Sequence, residues 1–340
     1  GEGVDLVLDE AGKQRAVRLL SDDLRDEHGA IVQYLRHAWA STDDALRAKL
    51  EGVARDEMWH FEWLSEKIFE LGGKPSIARS KVIVEGALLD LMDANIRAEE
   101  AAIAQYRKHQ AEIEDEEVRI LLERIISDET KHREAFEGIK EWLKGEGAAF
   151  AGIRVDAAGS PAPEGDKGPG SPEAPETGQG EALEVTQGDH NVLKRLREGI
   201  EHEYTVILKY LMQAYMSPDS KAAHEVWEFA IDEMKHLGWL AESMVERGGV
   251  PEVEHSAIGE VEDLEKGLEE NLLEEEKVIA QYEDSSAAID DSELRGIFER
   301  LKLDEVYHRY IFQELLEKLK KGRPKGLTVG SLFKGINSRN

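Results

Sequence analysis

The sequence predicts an all-α protein: two four-helix bundles in tandem, joined by a disordered linker rich in Pro, Gly and Glu. Three observations lead there. The motif Asp-Glu-x-x-His occurs four times, at Asp56–His60, Asp128–His132, Asp232–His236 and Asp304–His308. The copies keep fixed offsets: Glu57 to Glu233 and Glu129 to Glu305 are each 176 residues, and Glu57 to Glu129 and Glu233 to Glu305 are each 72. Around each copy, apolar residues recur at helical spacing.

The first bundle is expected over 10–145, with helices near 10–40, 43–71, 82–113 and 115–144. Leu46, Leu50, Val53, Glu57, His60, Leu64, Ile68 and Leu71 share one helix face. Val118, Leu122, Ile125, Glu129, His132, Phe136, Ile139 and Leu143 share another. In both, Glu and His interrupt an apolar stripe, so they point into the core. Gly72-Gly73-Lys74-Pro75 stops the second helix, as Gly248-Gly249-Val250-Pro251 does later. Residues 146–190 hold five of the nine prolines and cannot bury a core, so they read as the linker. The second bundle is expected over 191–320, with helices near 190–216, 219–247, 259–289 and 291–320. A tail, 321–340, closes the chain.

Composition narrows the function. The formal net charge of −29 argues against nucleic acid and anionic membranes as partners and suits attraction of cations. With no cysteine, disulfides, thiolate metal sites and iron–sulfur clusters are excluded. No apolar run is long enough to span a membrane. No signal peptide is visible at the start of the sequence, and the lack of cysteine fits a reducing, cytoplasmic compartment.

A Glu and a His three residues apart on one helix face can reach one metal ion. Further candidates repeat with the same offsets. Tyr34, Tyr106, Tyr210 and Tyr282 each follow, by seven residues, an inward Glu: Glu27, Glu99, Glu203 and Glu275. Each bundle thus offers four glutamates and two histidines. Four ionised carboxylates in an apolar core are very costly alone, and two divalent cations offset them. The alternative is a set of satisfied buried polar groups that fix helix register. His28, His37, His109, His190, His202, His224 and His255 show no repeat spacing and are expected at the surface.

These motifs resemble the ferritin-like superfamily, and within it bacterioferritin and the di-iron domain of rubrerythrin. The stretch Phe229–His236 is especially bacterioferritin-like. The resemblance implies that Glu57 and Glu129 bridge two irons, with Glu27 and His60 completing one and Glu99 and His132 the other. In the second bundle Glu233 and Glu305 bridge, flanked by Glu203 with His236 and Glu275 with His308. Asp56, Asp128, Asp232 and Asp304 resemble the family's acids that accept the free ring N–H of a ligand His. The four tyrosines could hydrogen-bond a bridging ligand or supply an electron; core packing is their alternative. Met58 and Met234 match the position of the bacterioferritin haem ligand, so one haem between the domains is an option beside ordinary packing. Such sites suit iron, manganese or zinc. The resemblance favours iron and oxidation of Fe(II) to Fe(III) by oxygen or peroxide.

Departures matter. Rubrerythrin's Cys₄ module is missing, and its extra carboxylate would fall at Ala102 and Val278, which cannot ligate. A rubrerythrin-like peroxide-detoxifying oxidoreductase, with two irons or two manganese ions, is therefore the second reading. A non-catalytic metal-binding scaffold is the third. A homo-oligomer is compatible with the family, although tandem fusion argues against a closed ferritin cage.

The tail is basic, and Leu327-Thr328-Val329-Gly330-Ser331-Leu332 follows a Gly/Pro/Lys spacer. Such an apolar–polar alternation is typical of short docking peptides. It resembles the cargo-loading peptide of encapsulin shells, with Leu327, Val329 and Leu332 filling pockets on the inner wall. The expectation is a ferroxidase for iron storage or detoxification, carried as cargo inside an encapsulin nanocompartment.

Overall fold

The computed structural model describes residues 9–41, 43–151, 154–155, 187–215, 220–259 and 263–322. The docking peptide 327–332 and most of the linker lie outside them. Among the described residues the helices are α1 (Glu10–Ala40), α2 (Asp44–Glu70), α3 (Leu88–Glu112), α4 (Glu116–Lys144), α5 (Ala148–Ala151), α6 (Gln187–Tyr215), α7 (Ser220–Glu246), α8 (Leu264–Ala288) and α9 (Ser292–Gly322). Two short strands, β1 (Gly86–Ala87) and β2 (Arg154–Val155), pair antiparallel. No described helix is long and apolar enough to cross a membrane.

Side chains at the helix starts explain where they begin. Asp9 accepts from the Gly12 amide at 2.7 Å, Asp43 from Leu46 at 2.7 Å, Asp115 from Val118 at 3.0 Å and Asp263 from Lys266 at 2.9 Å. The second helix of each bundle ends on a left-handed glycine, Gly72 (φ 83°) and Gly248 (φ 71°). There the next amide reaches back: Gly73 to the Ile68 carbonyl at 2.8 Å, Gly249 to Met244 at 2.9 Å.

The third helix of each bundle starts later than the periodicity predicts: Leu88 instead of 82, and Leu264 instead of 259. The apolar run Val82-Ile83-Val84 is extended chain lying along α1. The Ile83 amide donates to Gln33 Oε1 at 2.8 Å and its carbonyl meets His37 Nε2 at 2.6 Å. In the second half, the Ser256 amide donates to Thr205 Oγ1 at 3.0 Å, tying the connection to α6.

Within each bundle the first helix packs on the second and the third on the fourth. The predicted stripes face the core: Leu50, Leu64, Ile68, Leu122, Ile125 and Phe136 are fully buried. Three histidines expected at the surface are not there. His28, His37 and His109 are buried, because each finds a polar partner inside: Tyr204, the Ile83 carbonyl and Asp23.

The bundles meet through their first two helices. His28 Nε2 hydrogen-bonds the Tyr204 hydroxyl. The Trp59 and Trp227 rings lie 4.9 Å apart. Arg79 donates to the Val253 carbonyl at 2.7 Å and to Glu254 at 2.6 Å.

Candidate dimetal centres

The twelve candidate ligands converge into two clusters, one per bundle. All are buried, none above 5% exposed. Each helix contributes because its Glu, or its Glu and His, stand on the buried stripe. In the first bundle, Glu27, Glu57, His60 and Glu129 form one group and Glu57, Glu99, Glu129 and His132 another. The second repeats this with Glu203, Glu233, His236 and Glu305, and with Glu233, Glu275, Glu305 and His308. Ligand atoms within each group lie within 4.8 Å of one another. Glu57 and Glu129, and likewise Glu233 and Glu305, belong to both groups of their bundle, as bridging residues would.

The histidine Nδ1 atoms face inward. His60 Nδ1 is 2.9 Å from Glu57 Oε2 and 3.1 Å from Glu129 Oε1. His132 Nδ1 is 3.0 Å from Glu129 Oε2 and 3.1 Å from Glu57 Oε1. Equivalent distances around His236 and His308 run from 2.7 to 3.1 Å. The outer nitrogens face acids from the opposite motif. His132 Nε2 is 3.4 Å from Asp56 and His236 Nε2 is 3.4 Å from Asp304. His60 to Asp128, at 3.7 Å, and His308 to Asp232, at 4.0 Å, are looser. An acid on Nε2 keeps that proton there and leaves Nδ1 free to bind a metal.

The tyrosines reach across each bundle to the non-bridging glutamates. Tyr34 donates to Glu99 at 2.7 Å and Tyr210 to Glu275 at 2.5 Å; Tyr106 donates to Glu27 and Tyr282 to Glu203. All four rings are buried, and burial beside these carboxylates holds their hydroxyls well above the usual phenol range.

The residues fit cations. Glu27 Oε2, Glu57 Oε1, Glu203 Oε2, Glu233 Oε2, Glu275 Oε2 and Glu305 Oε1 are buried without a hydrogen-bond partner. Such groups are costly unless something binds them. His236 Nδ1 approaches Glu233 Oε2 to 2.7 Å yet makes no hydrogen bond to it, as two ligands facing one space would. Electrostatics agree. Burial, then the charges of Glu57 and Glu129, pushes Glu99 far above the carboxylate range, and burial and Glu305 do the same to Glu275. Burial alone would depress the histidines, but the surrounding glutamates push His132 up to about 10 and His308 up to about 11.

Between the bundles lies a largely apolar cavity of about 370 Å³. Met58 and Met234 line it from opposite bundles, beside Trp59, Trp227, His28 and Tyr204. A second cavity, of about 190 Å³, opens onto the first cluster between α1 and α3. Asp23 and Gln105 line that side, and His109 hydrogen-bonds Asp23. The sequence did carry their signal: Asp23 stands one turn before Glu27, and His109 one turn after Tyr106.

Fold and clusters together define a class: duplicated helical bundles, each with a buried carboxylate–histidine cluster able to hold metal. The sequence profile of the ferritin-like domain matches residues 17–144 and 193–322, and the chain belongs to that family. It is similar to a bacterioferritin of Desulfovibrio desulfuricans, 30% identical over 145 residues, covering 41% of this chain and 81% of that protein. It is also similar to a bacterioferritin of Mycobacterium leprae, 30% identical over 135 residues, 37% of this chain and 84% of that protein. The crystal structure of the Desulfovibrio desulfuricans bacterioferritin, with its diiron site, covers 48% of this chain and 97% of its own (30% identity, TM-score 0.39).

Proposed function

We propose that the chain is a ferroxidase that oxidises Fe(II) to Fe(III) at two dinuclear centres, for iron storage. The observation that carries this reading is the pair of buried clusters, each with four carboxylates, two histidines and unpartnered oxygens aimed inward. In each bundle the two glutamates shared by both groups would hold both irons, and one Glu with one His would complete each. Two Fe(II) ions held about 3.5–4 Å apart can together deliver the two electrons that oxygen or peroxide accepts. The protein supports that chemistry with fixed parts. The acids on His Nε2 orient the imidazoles, and the tyrosine hydroxyls hold Glu27, Glu99, Glu203 and Glu275 in place. The bacterioferritin relatives support this reading at the family level.

Met58 and Met234 present thioethers to one cavity and would hold a haem there by its iron; a bound haem supplies one-electron transfer. Replacing both by Leu should remove the absorbance of a reconstituted low-spin haem without changing iron oxidation stoichiometry. The peptide Leu327–Leu332 directs the chain into an encapsulin shell, where ferric product collects.

The reading predicts rapid Fe(III) formation when protein loaded anaerobically with about four Fe(II) per chain meets oxygen. Oxidation no faster than in a Glu57→Ala/Glu233→Ala variant would overturn it, and peroxide consumption without mineral would favour the peroxide-detoxifying reading. Deletion of 327–340 should abolish co-purification with a shell protein; unchanged co-purification would refute the docking role.

A further inference from the structure

A cavity leads to the first centre. The 190 Å³ cavity ends on Glu27, Glu57, Glu99 and Glu129 and runs out between α1 and α3. Its walls are small: Ala30, Ala98 and Ala102. Its polar side is a relay. Half-exposed Asp26 accepts from Gln105 at 3.1 Å, and Gln105 also donates to the fully buried Asp23 at 2.9 Å. His109 holds Asp23 from behind at 2.9 Å. Glu27 Oε2, buried and unpartnered, stands one turn further along α1.

In the second bundle the positions 176 residues on are filled differently. Ala30 and Ala102 become Val206 and Val278, both buried. Ala98 becomes Glu274, which takes Lys277 at 3.1 Å. Asp23 becomes Gly199, where any side chain would meet Leu240, a Cβ lying 2.9 Å from Leu240 Cδ1. Asp26 and His109 become His202 and Ser285. The acidic relay is gone and the alanine walls carry valines.

We infer that the first bundle has a dedicated path for small divalent cations along Asp26, Gln105 and Asp23, and that its centre fills before the second. This rests on the dimetal reading above. A hydrated cation exchanges water for carboxylate oxygens along the relay and is delivered to Glu27. Lys81 is the one cation in the lining and opposes its approach.

The test uses the metal-free full chain, mixed anaerobically with Co(II) and followed by visible absorbance in stopped flow. Two phases are expected, together taking four Co(II) per chain. Glu57→Ala should remove the fast phase and Glu233→Ala the slow one. Ala30→Val/Ala102→Val, which installs the second bundle's walls, should slow the fast phase at least about tenfold with the total unchanged, since close-packed interiors leave no second route. Lys81→Glu, an exposed change that leaves the core intact, should speed the fast phase roughly two- to threefold at low salt and lose this at high salt. A single phase, a fast phase that survives in Glu57→Ala, or one unaltered in either path variant overturns the inference. Uptake of fewer than four Co(II), indifferent to Glu57→Ala and Glu233→Ala, would instead sink the dimetal reading itself.

Discussion

Loading the first centre should expel close to two protons per divalent cation. Ligand atoms in the Glu27, Glu57, His60 and Glu129 group lie within 4.8 Å of one another. At that spacing two ionised carboxylates repel by about 3.5 kcal/mol at an effective dielectric constant of 20. Three carboxylates make three pairs and about 10 kcal/mol, as much as the whole stability of an ordinary domain. The metal-free bundle avoids this by holding protons. Burial, reinforced by neighbouring carboxylates, raises Glu27 and Glu99; the glutamates raise His60 and carry His132 up to about 10. A cluster of four glutamates and two histidines that holds both histidines charged and two protons on its carboxylates sums to zero charge. With two divalent cations, four carboxylates and neutral histidines, they again sum to zero. Two cations therefore displace four protons. The assay is calorimetric titration with Zn(II) at pH 7 in buffers of different ionisation enthalpy, using Glu233→Ala/Glu305→Ala to isolate the first centre. About four protons should leave, fewer as pH rises toward 10, while apparent affinity climbs with pH. Release of one proton or none at pH 7 would show that the metal-free carboxylates stand ionised, and would refute the charge balance.

Other outcomes follow from single contacts. Burial lowers His28 and His37 from 6.5 to about 4, so both fold neutral. Their folded values lie below the unfolded one. The stability they contribute is present above about pH 6.5 and is lost as pH falls toward 4, by roughly 3 kcal/mol each. His37→Gln should flatten the acid limb of a melting-temperature profile. Gly72→Ala and Gly248→Ala should each cost about 1 kcal/mol in denaturant unfolding, with cation stoichiometry unchanged, because both glycines sit at positive φ. Tyr34→Phe strips Glu99 of its buried donor; Co(II) affinity of the first centre should fall about tenfold by chelator competition, a loss of about 1.5 kcal/mol.

Much of this was legible in the sequence because duplication wrote it twice. The offsets of 72 and 176 picked out the inward glutamates and histidines from helical phase alone. What was hidden depends on neighbours distant in sequence. Val82-Ile83-Val84 has the apolar look of a helix start, but its backbone partners are Gln33 and His37, nearly fifty residues earlier. His109 lacks a repeat partner and so looked exposed; it is buried because Asp23 waits on another helix. The difference between Ala102 and Val278 was in plain view, yet its meaning needed the cavity that Ala102 lines.

The His28–Tyr204 hydrogen bond has an evolutionary consequence. These residues are 176 apart, so each occupies the other's equivalent place. Two identical subunits meeting on a twofold axis must put the same residue against itself there: imidazole on imidazole, or phenol on phenol. Fusing both halves in one chain lifts that restriction and lets a complementary pair form. Once the seam no longer has to match itself, each half is free to diverge. One can keep an open route to its metal while the other closes, a specialisation that no assembly of identical chains could reach.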